Sequence, residues 1–207
     1  MHIAIAGNIG SGKTTLATLL SHHYGWEVRY DELEDNPYLV DFYEDMREWS
    51  FNLQIFLLQK RYKSILEIQN KQHSVIQDRT IYEDACIFAP NLLDMGLMSV
   101  RDFDTYKSLY NLMMTLLPPP DLLIYLKTSV PTLVRQIQKR GRNYENSIRL
   151  DYLQSLNNRY DKWIEEYKEG KFLIINVDDF NFSEKTEDLR TVIDRIDAQI
   201  NGLFNIR

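Results

Sequence analysis

At 207 residues, with 44% hydrophobic and 26% charged side chains, the chain has the length and composition of one soluble globular domain with a continuous core. A net charge of −6 without any Lys/Arg-rich stretch argues against a nucleic-acid-binding surface, and no apolar run approaches membrane-spanning length. The single cysteine, Cys86, excludes an internal disulfide; with no signal-like leader ahead of the first apolar run, the expectation is a cytoplasmic protein.

His2 to Ala6 is a short apolar run with strand character. It leads into Gly7-Asn8-Ile9-Gly10-Ser11-Gly12-Lys13-Thr14, which fits the phosphate-binding pattern G-x-x-x-x-G-K-[ST] at every fixed position. Thr15 continues into a helix expected over Lys13–Tyr24 and closed by Gly25. Strand, glycine-rich turn and helix together give the motif its mechanism. Backbone N–H groups turn inward on a polyphosphate and the helix N-terminus adds its positive dipole end. Lys13 is then expected to reach the outer phosphates of a nucleoside triphosphate, and the Thr14 hydroxyl to serve Mg²⁺.

Trp26 to Tyr30 reads as a second strand, with Asp31-Glu32 at its carboxyl end, the edge where open α/β sheets bind ligands. Asn36-Pro37-Tyr38 marks a turn or helix start. Trp49 to Gln69 is a long helix whose Phe51, Ile55, Leu58, Tyr62 and Ile65 recur at helical intervals. A short strand, Ser74 to Gln77, ends at Asp78-Arg79. Helices are expected at about Glu83–Met95 and Val100–Leu116, and the run Pro118-Pro119-Pro120 stops the second. Asp121 to Leu126 is a buried-type strand, Thr132 to Lys139 a helix, and Arg140-Gly141-Arg142 a basic turn. Leu150 to Tyr167 is helical, Lys171 to Val177 is the last strand, and the final helix carries Leu189, Val192, Ile193, Ile196 and Ile200 on one face. Five strands alternating with helices predict a single helix-rich α/β domain over residues 1–207 with a parallel sheet.

A phosphate loop alone does not separate a motor, a switch and a kinase. The base-reading Asn-Lys-x-Asp of GTPase switches is absent, since Asn70-Lys71 is followed by Gln72-His73, and there is no Leu-Ser-Gly-Gly-Gln. Carboxylates and arginines at strand ends suit a small-molecule phosphotransferase, where catalysis is positioning and charge neutralisation.

Four further blocks resemble the deoxyribonucleoside kinase family, most closely its short bacterial deoxyadenosine and deoxyguanosine kinases. They are Asn36-Pro37-Tyr38-Leu39 with Phe42-Tyr43, Trp49-Ser50-Phe51-Asn52-Leu53-Gln54, Asp78-Arg79-Thr80, and Arg140-Gly141-Arg142-Asn143-Tyr144-Glu145. The resemblance covers nearly the whole chain and implies the P-loop nucleoside kinase fold, with a basic lid at about residues 139–148. It implies 5′-phosphorylation of a deoxynucleoside by ATP with Mg²⁺, purines favoured and deoxycytidine possible, and a homodimer.

The resemblance also implies roles. Asp78 helps hold Mg²⁺, and Arg79, Lys13, Arg140 and Arg142 meet the moving phosphoryl group. The family usually reads Glu-Pro-Val where this chain has Asp31-Glu32-Leu33. Aligned on Asn36-Pro37-Tyr38, Asp31 takes the position of the base that accepts the 5′-hydroxyl proton. Glu32 is the alternative, because Asp is a methylene shorter. Neighbours on a strand point oppositely, so one of the two faces the site. Tyr43 and Glu145 match the pair that grips the sugar 3′-hydroxyl. Gln54, Leu57 and Arg61 share one helix face; by resemblance Gln54 contacts the nucleobase edge, Arg61 pairs with Asp84, and Phe88 stacks on the base. Asp179 and Phe180, in Asp178-Asp179-Phe180, resemble the loop that senses the donor's base. Gln136 departs from the pattern, standing where some relatives carry a further arginine, with Arg135 beside it. Two rivals share the phosphate loop: a nucleoside monophosphate kinase and a non-catalytic nucleotide-binding regulator.

Overall fold

The computed structural model describes residues 1–31, 36–142, 145 and 147–202. Glu32 therefore lies outside the described residues, as do Asn143 and Tyr144 of the basic motif. The first strand, β1 (His2–Ala6), runs into the phosphate loop and helix α1 (Lys13–Tyr24). Gly12 enters this helix at φ 90° and Gly25 leaves it at φ 69°, left-handed conformations that favour glycine. Strand β2 (Glu27–Arg29) is followed by α2 (Leu39–Glu44) and the long α3 (Met46–Gln69). The Asn36 side chain starts the turn ahead of α2 by accepting from the Tyr38 N–H at 3.0 Å. Asp45 caps α3, its Oδ1 accepting from the N–H groups of Arg47 and Glu48 at 3.1 Å each.

Beyond β3 (Val75–Asp78), the stretch expected to be one plain helix is α4 (Ile81–Glu83), a π-helical turn (Asp84–Phe88) and α5 (Ala89–Asp94). It begins earlier than expected because Thr80 caps it, and the wide turn does not register in a 3.6-residue pattern. The remaining elements are α6 (Val100–Met114), β4 (Leu122–Lys127), α7 (Val130–Arg140), α8 (Leu150–Glu166), β5 (Phe172–Asn176) and α9 (Thr186–Asn201).

The five strands form one parallel sheet in the order β2-β3-β1-β4-β5, with Ile5 opposite Asp78 and Ala6 opposite Tyr125. Alternation along the strands splits the core in two. Ile3 and Ile5, with Leu122, Ile124 and Leu126, pack under α1 and α9 against Leu16, Leu20 and Val192. Ala4, Ala6, Leu123 and Tyr125 face the other way, onto a thicker layer that includes Leu58 of α3, Tyr106 of α6 and Tyr160 of α8. The chain leaves β1 first for β2 and β3 and later for β4 and β5, so the carboxyl end of β1 is the switch point where such sheets hold ligands.

Helix α3 is the expected long helix, begun one turn ahead of Trp49 at the Asp45 cap. Its buried face is Ser50, Leu53, Gln54, Leu58, Arg61, Ile65 and Ile68, while Phe51, Ile55 and Tyr62 are half-buried. The innermost stripe includes Gln54 and Arg61, whose polar ends point to the cleft described below. The apolar periodicity therefore sits to one side of the burial direction. Among the described residues no helix is long and apolar enough to cross a membrane.

Candidate active site

A cleft of about 900 Å³ opens at the carboxyl ends of the strands. Its floor is the phosphate loop, where Ile9, Gly10, Gly12, Lys13, Thr14 and Thr15 face the space. Gly10 has φ 85°, and a methyl group there would meet Ile137 Cγ1 at 2.8 Å and the Leu133 carbonyl at 3.0 Å. Only glycine fits between loop and α7. Gly7, Asn8 and Ser11 sit in the layer beneath rather than on the cleft wall. Asn8 is buried, donating from Nδ2 to the Leu153 carbonyl at 3.2 Å and accepting at Oδ1 from the Ile9 N–H at 2.8 Å. Its side chain shapes the loop from beneath. Lys13 is folded onto the loop, donating to the carbonyls of Gly7 at 2.7 Å and Asn8 at 2.9 Å. Burial, reinforced by neighbouring Arg79, pushes its ammonium down to about 7 despite Glu83, Asp78 and Asp31 nearby.

Beside the loop, Asp78 ends β3 and accepts a 2.5 Å hydrogen bond from the Thr14 hydroxyl at Oδ2. Its Oδ1 is buried with no hydrogen-bond partner among the described residues. Burial raises the Asp78 carboxyl, with Lys13 and Thr14 opposing. A carboxylate and a hydroxyl at a phosphate-binding loop suit a hard cation of the Mg²⁺ type, which takes one or two protein oxygens and completes its shell with phosphate and water.

Directly after β3 comes Arg79, at φ 73° the only non-glycine residue with positive φ among those described. This costs on the order of 1 kcal/mol or more and turns the side chain back across the cleft. Arg79 Nε lies 3.0 Å from Asp31 Oδ2, close enough for an ion pair but not aligned as a hydrogen bond. The guanidinium lies over the Phe88 ring at 4.8 Å. Phe88, expected on the nucleobase, thus also carries the arginine.

Asp31 and Asp84 share Arg61. Arg61 donates from Nη1 to Asp31 Oδ1 at 2.9 Å and pairs through Nε with Asp84 Oδ2. The two carboxyls are driven in opposite directions. Burial pulls Asp31 upward, but Arg61 and Arg79 outweigh it and hold the group below its ordinary value. Asp84, with no exposed surface, is pushed by burial up to about 6 against the same arginines. Asp84 Oδ1 and Gln54 Oε1 are both buried without a hydrogen-bond partner among the described residues, at about 1–3 kcal/mol each. With the side of Leu57, they line the wall that a planar polar ring would meet.

Tyr43, packed edge-on to Phe42, and Glu145 also line the cleft. Glu145 is buried and paired with the lid. Arg140 Nε donates to Glu145 Oε2 at 3.1 Å, its Nη2 to Oε1, and Arg142 Nη1 lies 3.8 Å from Oε1. Toward the donor end, Asp179 and Phe180 line the space with Gln136 and Arg135. Asp178 receives the N–H and hydroxyl of Ser129 at 2.9 and 3.0 Å, so this loop is tied to the residue that starts α7, the helix ending in Arg140. Arg135 is held through Nη2 on the Thr132 hydroxyl at 3.2 Å.

One family model, deoxynucleoside kinase, matches residues 3–201. The chain belongs to the deoxynucleoside kinase family. It is 35% identical over 201 residues to a deoxyadenosine/deoxycytidine kinase of Bacillus subtilis, covering 96% of this chain and 93% of that one. To a deoxyguanosine kinase of the same organism it is 41% identical over 182 residues, 85% of each chain. Among solved structures, deoxyadenosine kinase from M. mycoides with the products dCMP and dCDP superposes with a TM-score of 0.84 at 29% identity, over 96% of this chain and all of that one. The five-stranded parallel sheet flanked by helices is the P-loop nucleoside kinase fold, and the protein phosphorylates deoxynucleosides.

Two features of this kinase's site were not anticipated. Tyr152 of α8 is buried and lines the cleft, spaced with Leu156 and Tyr160 as an ordinary core stripe. Glu83 lies just behind the wall, where the pattern Thr80-x-x-Glu83 was a visible capping signal.

Proposed function

We propose that ATP is the donor, Mg²⁺ the cofactor, and a purine 2′-deoxynucleoside the favoured acceptor, with deoxycytidine also accepted. The observation that carries the site assignment is the Asp31 carboxylate held between Arg61 and Arg79 at the sheet edge, facing the phosphate loop. An ionised carboxylate kept below its ordinary value is ready to accept the 5′-hydroxyl proton throughout the neutral range. Asp31 is the base in this assignment, and Glu32 the alternative. Tyr43 and Glu145 hold the sugar 3′-hydroxyl, while Gln54, Arg61 and Asp84 read the base against Leu57 and Phe88.

Thr14 and Asp78 would hold Mg²⁺, which when bound neutralises phosphate charge. Lys13 and Arg79 stabilise the moving phosphoryl group from the floor, and Arg140 and Arg142 from the lid. When polyphosphate enters, the lid arginines exchange Glu145 for phosphate oxygens, and Glu145 becomes available to the sugar. Asp179 and Phe180 border the donor's base. Residues 1–207 act as one catalytic domain. A cytoplasmic homodimer completes the proposal. Exposed Leu109 and Leu112 on α6, with Leu116 just beyond it, offer the apolar face for it.

The test is a comparison of kcat/KM for the four natural deoxynucleosides with ATP, with and without EDTA. Deoxyadenosine and deoxyguanosine are expected first, thymidine last, and EDTA is expected to abolish transfer. Thymidine as the best acceptor would remove the base-reading role from Arg61 and Asp84. Undiminished transfer in EDTA would remove the metal role from Thr14 and Asp78.

A further inference from the structure

Glu83 is fully buried and does not line the cleft, yet three donors converge on its two oxygens. Oε2 accepts from the Thr80 N–H at 2.6 Å; Oε1 accepts from the Gly7 N–H at 3.1 Å and from the Tyr160 hydroxyl at 2.7 Å. The Thr80 contact is half of a capping box, the other half being the Glu83 N–H to the Thr80 hydroxyl at 3.4 Å. Helix capping needs only that oxygen. The second oxygen is spent outside the helix, on the first residue of the phosphate loop and on α8.

The two N–H groups are placed where the chemistry is assembled. Gly7 is where β1 leaves the sheet to become the phosphate loop, and Thr80 follows the strained Arg79 at the end of β3. The strands are neighbours, with Ile5 opposite Asp78, and the Arg79 N–H donates to the Ile5 carbonyl at 2.9 Å. One carboxylate therefore bridges the loop that holds the donor and the turn that aims Arg79. A carboxylate is suited to this because it only accepts and has lone pairs for all three donors.

We propose that Glu83 is a positioning residue for phosphoryl transfer: by holding Gly7 and Thr80 on one carboxylate, it sets the phosphate loop and Arg79 at the separation the reaction needs. The proposal rests on the assignment of the loop and Arg79 to the moving phosphoryl group. Glu83→Gln keeps the size but turns an NH₂ toward a donor that has lost its acceptor. A displacement of about 1 Å costs on the order of a hundredfold in rate.

The experiment measures kcat, deoxynucleoside Kd and thermal midpoint for wild type, Glu83→Gln and Glu83→Asp. The expected result is a roughly hundredfold fall in kcat for Glu83→Gln, with deoxynucleoside Kd within twofold of wild type. For Glu83→Asp, which keeps both oxygens on a shorter arm, the expected fall is roughly tenfold. A lowered midpoint with kcat unchanged would reduce Glu83 to a fold-stabilising cap and overturn the proposal. A loss of nucleoside affinity as large as the loss of kcat would also overturn it. Should Glu83→Gln not fold, Glu83→Asp decides: kcat within twofold of wild type overturns the proposal. An inactive wild type would instead strike the site assignment itself, so the two failures are distinguishable.

Discussion

The two halves of the cleft are built on different principles. In the proposed assignment the donor half centres on one contiguous element: the phosphate loop is a run of eight residues that would meet phosphate through its backbone, and it requires glycines at Gly10 and Gly12. The acceptor half is dispersed: Asp31, Tyr43, Gln54, Arg61, Arg79, Asp84 and Glu145 come from six separate stretches of chain and act through side chains. A polyphosphate presents the same repeating anionic group wherever it is met, so oriented N–H groups suffice. A sugar and a base present single polar atoms at fixed places, and each needs its own partner.

The sharpest way to break this contrast is Asp31→Asn. Replacing the proposed base is expected to lower kcat by about a thousandfold while ATP Kd stays within twofold, because the loop's backbone does not depend on Asp31. Retained activity would move the role to Glu32. Arg79→Lys comes next, with an expected loss on the order of a hundredfold in kcat. Lysine keeps the charge but loses the planar fork held over Phe88, and single-turnover measurements place the deficit in the chemical step.

Gly10→Ala should do the reverse. Its Cβ meets Ile137 and the Leu133 carbonyl at positive φ, so ATP Kd is expected to rise at least about tenfold with deoxynucleoside Kd unchanged, read by calorimetry. Tyr43→Phe removes one hydroxyl and is expected to raise deoxynucleoside KM by roughly five- to tenfold, with ATP KM unaltered.

The smallest effect is pH-dependent. Burial raises Asp84 to about 6, so the group takes up a proton as pH falls through that value and changes from pure acceptor to donor. Deoxynucleoside KM should therefore change by a few-fold between pH 7 and 5 in wild type and lack that inflection in Asp84→Asn. Asp31, held low, contributes no titration in this window. The same shift has a stability consequence of known sign. A carboxyl whose folded value is raised binds protons more tightly when folded, so its contribution is fully present below about pH 4 and is lost as pH rises through about 6.

The contrast between the halves also explains what was legible in the sequence. The loop and its flanking strand and helix could be read directly, because contiguous residues carry both the structure and the chemistry. Helix α1 has its expected bounds, Lys13–Tyr24, and the sheet has its five parallel strands. The acceptor half was legible only through motif resemblance. Nothing in the spacing of Arg61, Asp31 and Asp84 tells that one guanidinium lies between two carboxyls, since that contact is made by folding.

The π-helical turn at Asp84–Phe88 was invisible because one wide turn leaves no period. On α3 the apolar pattern gave the helix, and the structure adds that Gln54 and Arg61 take inward positions while Phe51, Ile55 and Tyr62 pack half-buried against the core. The Thr80-x-x-Glu83 spacing could have marked Glu83 as a cap, but its second oxygen depends on Gly7 and Tyr160, each more than seventy positions away.

The most direct test of the account offers the wild-type kinase γ-labelled ATP with deoxyadenosine, adenosine or dAMP in parallel. An acceptor half in which Asp31, Tyr43 and Glu145 meet a neutral deoxyribose predicts strong label in dAMP formed from deoxyadenosine, weak transfer to adenosine and none to dAMP. Label passing to dAMP, to form dADP, with none to deoxyadenosine would mean that the cleft receives an acceptor phosphate, and would contradict the account.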